Sequence, residues 1–403
     1  MAAHTDQVSD AGPVTAAEGR AAAPRFAGSR TFRACLWLHR WTGLVAAPFF
    51  LVLCLTGTVL IFHEEIEEWA GWESAVAASN APLLPLADLT AAALALEPSK
   101  RIVSFAFDED HPERVTVGLA AWGIRTLADA VPMMLDAHSG ARLPRPDPRK
   151  TPIGILLRLH ANWLLGPSGQ LFGGVVALLV IVCLVSGVMV YGPYVRDLAF
   201  GAIRCGRGQA LRQRDLHNLI GVATLGWTLL VSITGIALAL GSIGLLAWQA
   251  TELQRLVRTH ATAPAQDGDR AIPISLDKIR TAAEGARPGW RTMMMIYPDT
   301  VFSTGRHYTV LLAGPTGLQK RLFEIALVDA HDARVAEVTR LPWYLTLVRI
   351  SQPLHFGDYG SWPLKILWCG LSWAALFITG NGAWLWWARR RSRRARARSA
   401  TAV

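Results

Sequence analysis

Four apolar stretches constrain this chain more than any other feature of its sequence. They run from about Leu36 to Phe62, Leu171 to Tyr191, Leu216 to Trp248 and Trp362 to Trp387. Each holds roughly 20 or more mostly apolar residues, enough for a helix to cross a hydrocarbon core of about 30 Å. The chain is 52% hydrophobic and 17% charged, with a mean hydropathy of +0.28. A soluble domain is nearer about 25% charged, so the apolar excess belongs to the spans. Trp37, Trp41, Trp69, Trp72, Trp248, Trp362, Trp384, Trp386 and Trp387 gather at the ends of the stretches, where an amphipathic ring prefers to sit.

A net charge of +10 could suggest a nucleic-acid partner, but its placement gives a different reading. Arg20, Arg25, Arg30, Arg33 and Arg40 precede or open span one. Arg196, Arg204, Arg207, Arg212 and Arg214 fill the short loop between spans two and three, and Arg389, Arg390, Arg391, Arg393, Arg394, Arg396 and Arg398 follow span four. With four alternating spans all three clusters fall on one side. The positive-inside rule then predicts both termini and the short loop in the cytoplasm, with 63–170 and 249–361 outside. The expectation is a multi-pass protein of the bacterial inner membrane, in contact with lipid and with no nucleic acid.

Cys35, Cys54, Cys183 and Cys369 lie in or at spans and Cys205 in the short loop. The outer segments have no cysteine, so no disulfide framework is expected. No CxxCH occurs, so no c-type haem is attached. About thirty residues precede span one, and its apolar run exceeds the usual signal-peptide core of roughly 7–15 residues, so it reads as a retained span.

The chain divides into a disordered cytoplasmic tail (1–30), span one (31–62) and a first outer domain (63–150). An outer histidine segment with span two (151–192), a cytoplasmic loop (193–215) and span three (216–248) follow. A second outer domain (249–340), a histidine segment with span four (341–388) and a basic cytoplasmic tail (389–403) complete it. The two outer segments look alike. In the first, Leu86–Leu96 reads as a helix and Arg101–Phe107, Arg114–Ala121 and Met133–Ala137 as strands, closing on the turn Asp136-Ala-His-Ser-Gly140. In the second, Ser275–Gly285 reads as a helix and Thr292–Tyr297, Tyr308–Ala313 and Phe323–Val328 as strands, closing on Asp329-Ala-His-Asp-Ala333, where alanine replaces the glycine.

The spans repeat as well. Leu38-His39 opens span one and Leu216-His217 opens span three, and 18 residues on from each histidine stand Thr56-Gly57 and Thr234-Gly235. Leu159-His160 and Leu354-His355 precede spans two and four, with Ser186-Gly187 and Thr379-Gly380 27 and 25 residues later. The pattern predicts an internal duplication of one unit: span, outer domain, histidine, span.

Four histidines thus recur as two pairs: His39 with His217 at the cytoplasmic ends, and His160 with His355 near the outer face. Ionisable groups in or near a membrane are costly and point to function; lone interfacial histidines bonded to backbone are the ordinary alternative. Zinc takes about four ligands, and no carboxylate or cysteine recurs beside these pairs. A haem iron needs only axial ligands, which imidazole supplies. Eighteen residues are five helical turns, so Gly57 shares a face with His39, as Gly235 does with His217; such glycines would leave a gap for a macrocycle, or would serve helix packing. His63, about 120° round the helix from His39, is a weaker alternative ligand. His138 and His331 read as turn residues. No phosphate loop and no paired acids occur, so nucleotide binding and hydrolysis have no visible machinery.

Leu38-His39-Arg40-Trp41 with Leu55-Thr56-Gly57, Leu159-His160 with Trp163-Leu-Leu-Gly166, and Leu354-His355-Phe-Gly357 resemble the PepSY-associated transmembrane helix family, over about 31–390. The outer repeats resemble PepSY domains. The resemblance implies a membrane α-helical bundle of four spans carrying two periplasmic α+β PepSY-like domains. It implies an iron-regulated inner-membrane oxidoreductase of the ferric-siderophore reductase type, with two b-type haems held by His39, His217, His160 and His355. The reaction implied is one-electron reduction of ferric iron in a periplasmic siderophore, which loosens the hard-oxygen chelate. The electron donor would be a quinone or a cytoplasmic reductase. PepSY domains also occur in peptidase inhibitors, so a haem-free regulatory or binding membrane protein is the alternative reading; a transporter is a third, disfavoured by parallel rather than inverted repeats.

Overall fold

In the computed structural model, which describes residues 29–72, 76, 81–109, 111–147, 149–195, 201–260, 274–357 and 361–401, the first span starts at a side-chain cap. Ser29 Oγ accepts the Phe32 N–H at 3.0 Å and opens α1 (Arg30–Leu60). The other long apolar helices are α5 (Pro167–Val195), α6 (Gln209–Ala239) and α12 (Ser361–Thr401). All four are long and apolar enough to cross a membrane, and the chain is a multi-pass membrane protein. Most of each span's surface is uncovered by protein: Val45, Leu55, Val175, Val185, Ile233 and Phe377 are exposed, as lipid-facing side chains must be.

Each span packs against two neighbours. α1 and α6 each touch α5 and α12, so α1 and α6 face each other across a four-helix ring. Its interior carries buried hydroxyls at Thr56, Ser186, Thr224, Thr228, Ser232 and Thr234. Thr56, Ser186, Thr224, Thr228 and Thr234 each donate to the carbonyl four residues earlier, at 2.6–2.9 Å, which satisfies a polar group inside an apolar bundle.

Between the spans the chain builds α2 (His63–Trp69), α3 (Leu86–Leu96), β1 (Lys100–Phe107), β2 (Arg114–Ala121), β3 (Val131–Asp136) and α4 (Pro152–Asn162). The second half builds α7 (Gly241–Ala250), α8 (Glu252–Thr259), α9 (Leu276–Ala286), β4 (Arg291–Ile296), β5 (His307–Ala313), α10 (Gly317–Arg321), β6 (Phe323–Asp329), β7 (Val335–Arg340) and α11 (Trp343–Phe356). The two outer segments form one antiparallel sheet, in the order β3-β2-β1-β4-β5-β6-β7. The join is β1 against β4, with Ser104 opposite Ile296, Phe105 opposite Met295 and Ala106 opposite Met294. Each joining strand carries an irregularity at the equivalent place, between Ile102 and Ser104 and between Thr292 and Met294. One core serves both halves: Leu89 and Ala93 of α3 and Ile279 and Ala283 of α9 pack with Phe105, Met295 and Tyr308 of the sheet. Side chains alternate along a strand. Ala326 and Val328 of β6 therefore enter that core, while Ile325 faces Trp248, Leu253, Leu256 and Leu345 of α7, α8 and α11. This second cluster ties the sheet to the helices beneath it.

Several boundaries differ from the sequence reading. Residues 1–28 of the expected tail lie outside the described residues. The loop expected over 193–215 already turns helical at Gln209, and the basic tail over 389–403 continues α12 to Thr401; arginine and alanine are good helix formers, and exposed arginines need no partner in the bundle. The histidine segments are helices, α4 capped by Thr151 Oγ1 on the Gly154 N–H at 3.0 Å. β7 was invisible as a strand because its pattern is short and half exposed. Its counterpart in the first half is a single bridge, Leu135 to Arg142, where Pro144 and Pro146 cannot donate to a ladder.

The repeated turn explains its aspartates. Asp136 accepts from the His138 N–H at 2.8 Å and the Ser139 hydroxyl at 2.7 Å, and Asp329 from the His331 N–H at 2.8 Å and Arg306 Nε at 2.6 Å. Burial pushes both carboxyls up, but these donors outweigh it and hold both below the usual carboxylate range. A depressed folded pKa contributes stability above the unfolded value of about 3.9, and that contribution is lost as pH falls through the folded value. Stability is therefore expected to fall as the pH drops below about 4, and Asp329→Asn to flatten that decline in a pH series of denaturant unfolding. The turns also close on left-handed residues, Gly140 at φ +71° and Ala333 at φ +56°. Since this region costs a residue with a Cβ about 1–2 kcal/mol, Ala333→Gly should stabilise the protein by about 0.5–1 kcal/mol. Gly140→Ala should destabilise it by at least about 1 kcal/mol, its new Cβ standing 3.1 Å from Ala92 Cβ. Urea unfolding in detergent checks both.

Candidate functional site

The four recurring histidines meet as two pairs. His39 of α1 and His217 of α6 face each other across the ring, with ring centroids 6.2 Å apart and planes at 76°. His160 of α4 and His355 of α11 do the same beneath the sheet, at 6.2 Å and 65°. All four are half-buried. The pairs sit at opposite ends of the bundle: from His39 to Gly57, which touches His160, α1 rises about 27 Å.

Each imidazole lies against a glycine of a neighbouring span. A Cβ would stand 3.2 Å from His160 Cε1 at Gly57, 2.9 Å from His39 Cε1 at Gly187, 3.3 Å from His355 Cε1 at Gly235 and 3.2 Å from His217 Cε1 at Gly382. The carbonyl one turn before each glycine lies beside the same ring: Leu53 for His160, Cys183 for His39, Val231 for His355 and Ile378 for His217. A helix face thus offers each histidine a bare patch and a nearby backbone acceptor.

The ring tautomers are assigned from the hydrogen-bond geometry. His39 Nδ1 lies 2.9 Å from the Cys183 carbonyl, which can only accept. His160 Nδ1 lies 2.8 Å from Thr56 Oγ1 and His355 Nδ1 3.1 Å from Thr234 Oγ1. The Thr56 proton is directed at Val52 O (2.8 Å) and Leu53 O (3.1 Å), and the Thr234 proton at Leu230 O (2.8 Å) and Val231 O (3.2 Å). Each hydroxyl has no second proton to give, so each Nδ1 carries the hydrogen and each Nε2 keeps a free lone pair. Among the described residues His217 Nδ1 is buried without a hydrogen-bond partner. The neutral, Nε2-exposed imidazole is the form that binds metal, with its other nitrogen donating to an oxygen.

The remaining histidines stand elsewhere. His63 opens α2 and bonds through Nδ1 to the Leu60 carbonyl at 3.0 Å, and belongs to neither pair. His138 and His331 use their backbone N–H in the turns. His260 and His307 form a third close pair, centroids 6.0 Å apart, but both are engaged: His260 Nε2 with Glu337 at 2.8 Å and His307 Nδ1 with Thr304 Oγ1 at 2.7 Å. Among the described residues no group of three or more histidine, cysteine, aspartate or glutamate side chains is placed to hold a metal ion.

The glycines act differently from the sequence reading. Gly57 and Gly235 do share a helix with His39 and His217, but the space they clear is filled by an imidazole of the opposite end. The fourth glycine is Gly382, not Gly380, which meets nothing within 4 Å. Gly382 follows His355 by 27 residues, as Gly187 follows His160, so the spacing is the same in both halves. The threonine before Gly57 and Gly235 was visible in sequence only as a neighbour of the glycine. That it accepts from a histidine more than a hundred residues away depends on tertiary packing.

The sequence pattern of the family described as "PepSY-associated TM region" matches residues 36–389. The chain is also similar to an uncharacterized protein of Pseudomonas aeruginosa, 26% identical over 262 residues, which cover 60% of this chain and 64% of that relative. The match thus spans a little under two thirds of the relative's length.

Gly187→Ala would put a methyl 2.9 Å from His39 Cε1, forcing the ring to move. The expected cost is about 1–3 kcal/mol. Gly221→Ala and Gly380→Ala meet open space and should be neutral or gain up to about 1 kcal/mol. Thermal unfolding of the purified variants checks the difference; equal effects at all three positions would show that the imidazole contact is not what requires glycine.

Proposed function

This chain belongs to the PepSY-associated transmembrane family, and on that premise we propose that it is a di-haem electron-transfer protein of the bacterial inner membrane that reduces ferric siderophores. The observation that carries the reading is the paired geometry. Both pairs stand with ring centroids 6.2 Å apart, a spacing in which His39 with His217, and His160 with His355, would hold one iron between their Nε2 atoms. Three of the four rings hold their hydrogen on Nδ1, which leaves Nε2 as the ligand atom. Each site offers two imidazoles, the number a haem iron takes axially.

A b-type haem bound at each pair would supply a one-electron ferric–ferrous couple. The chain's own part is to hold the rings, exclude bulk water with apolar spans and separate the pairs along the bundle. Arginines at the end near His39 and His217 support a cytoplasmic placement of that end and, with it, a periplasmic sheet. Electrons would enter at His39 and His217, from a quinone or a cytoplasmic reductase, and leave at His160 and His355 beneath the sheet. There one electron converts chelated Fe3+ to Fe2+, a softer and less charged ion that hard oxygen donors hold less well. The repeated order of elements in the two halves supports an internal duplication as the origin of the two-site design.

The deciding experiment is a reduced-minus-oxidised absorbance spectrum of the purified protein with a pyridine haemochrome count. Two b-type haems per chain are expected, with His39→Ala and His355→Ala each removing about half of the haem. A protein that stays haem-free after expression with ample haem would overturn the proposal and favour a PepSY regulatory or binding membrane protein.

A further inference from the structure

The two histidine pairs differ in what accepts their Nδ1 hydrogens. Beneath the sheet both acceptors are threonine hydroxyls, Thr56 for His160 at 2.8 Å and Thr234 for His355 at 3.1 Å. At the other end one acceptor is the Cys183 carbonyl, 2.9 Å from His39 Nδ1, and among the described residues His217 Nδ1 has none. The residues one step before the corresponding glycines there are Ser186 and Asn381. Neither serves a histidine: the Ser186 hydroxyl donates to Val182 O at 2.6 Å, and Asn381 Nδ2 donates to Gln213 O at 2.9 Å. The hydroxyl-to-imidazole bond is therefore a property of one end of the molecule.

A hydroxyl whose own proton is bound to a carbonyl is a polarised acceptor. An acceptor at Nδ1 makes the imidazole a more basic ligand and fixes its orientation. A more basic axial ligand favours the more highly charged ferric ion. From this we infer that Thr56 and Thr234 are positioning residues that lower the reduction potential of the iron held by His160 and His355. The inference rests on the di-haem reading above. Its consequence is a stronger reductant at the exit end, where a tightly chelated ferric ion resists reduction. No proton moves in this arrangement: each threonine hydroxyl keeps its hydrogen, donated to the Val52 or Leu230 carbonyl, and only the iron would change charge.

The test uses the full-length, haem-loaded protein in detergent, titrated against mediators and followed by absorbance and by low-temperature electron paramagnetic resonance. Thr56→Val and Thr234→Val keep the shape of the side chain and remove the acceptor. Each should raise the potential of one haem and leave the other in place. The expected size is about a tenfold change in the ferrous-to-ferric ratio at fixed potential, or about 59 mV for one electron. Thr56→Ser, which restores a hydroxyl, should return the potential and the ferric resonance towards those of the parent. Thr228→Val is the control, because among the described residues the Thr228 hydroxyl bonds the Thr224 carbonyl alone, at 2.9 Å, and it should shift neither haem. Loss of only the sheet-side haem in the valine variants, rescued by serine, would also support the role. Two bound haems with unchanged potentials in both valine variants would overturn the inference while leaving the di-haem reading intact. Absence of haem from the parent protein would remove that reading itself.

Discussion

The structure depends on one contact made four times, the Nδ1–Cε1 edge of an imidazole set against a glycine of a neighbouring span, and in three of the four an oxygen of that same span takes the Nδ1 hydrogen. A histidine within an apolar bundle is expensive unless its polar edge is satisfied. The glycine removes the Cβ that would hold the ring off the helix, and the carbonyl four residues earlier lies on the same face. The contact therefore fixes where neighbouring spans approach, and in three cases which nitrogen of the ring is left free.

That constraint also explains the connectivity. His39 and His217 sit on the spans themselves, on α1 and α6, which stand across the ring from each other. His160 and His355 cannot reach an equivalent position from the spans that follow them, and they enter on short helices, α4 and α11. α4 turns into α5 through Trp163 and Leu164, both at positive φ (55° and 61°). Non-glycine residues in this region store strain, and here Trp163 is packed edge-on against Phe49 and Phe172, centroids 5.8 and 5.4 Å away. α11 turns through Gly357 at φ +71°, where a Cβ would stand 2.7 Å from Trp368 Cγ. The two halves solve the same geometric problem with different residues.

The sheet joins what the membrane portion keeps apart. Because β1 pairs with β4, the outer segments share a core, and Asp277 of α9 accepts the Leu86 N–H at the start of α3 at 3.2 Å. Trp248, Leu253, Leu256 and Leu345 then tie that sheet to α7, α8 and α11. α11 thus runs from this cluster, at Leu345, to the histidine pair, at His355.

Much of this was legible in the amino-acid order. Span length and apolar content determine four crossings, because a helix rises a set distance per residue and the hydrocarbon core has a set thickness. The alternation of side chains marked β1, β2, β5 and β6 to within a residue or two, and the recurrence of histidine, threonine and glycine at matched spacing marked the two pairs. Tertiary structure alone decided that the outer segments form one sheet, because the β1–β4 register lies between strands nearly two hundred residues apart. It also decided which glycine serves which histidine. Gly57 shares a helix face with His39 by periodicity, yet touches His160, since a helical repeat relates residues within one span and says nothing about the ring that a neighbouring helix presents. The hydroxyls of Thr56 and Thr234 were in plain view as residue types; their acceptor role exists only once α4 and α11 bring an Nδ1 hydrogen within 2.8 and 3.1 Å of them.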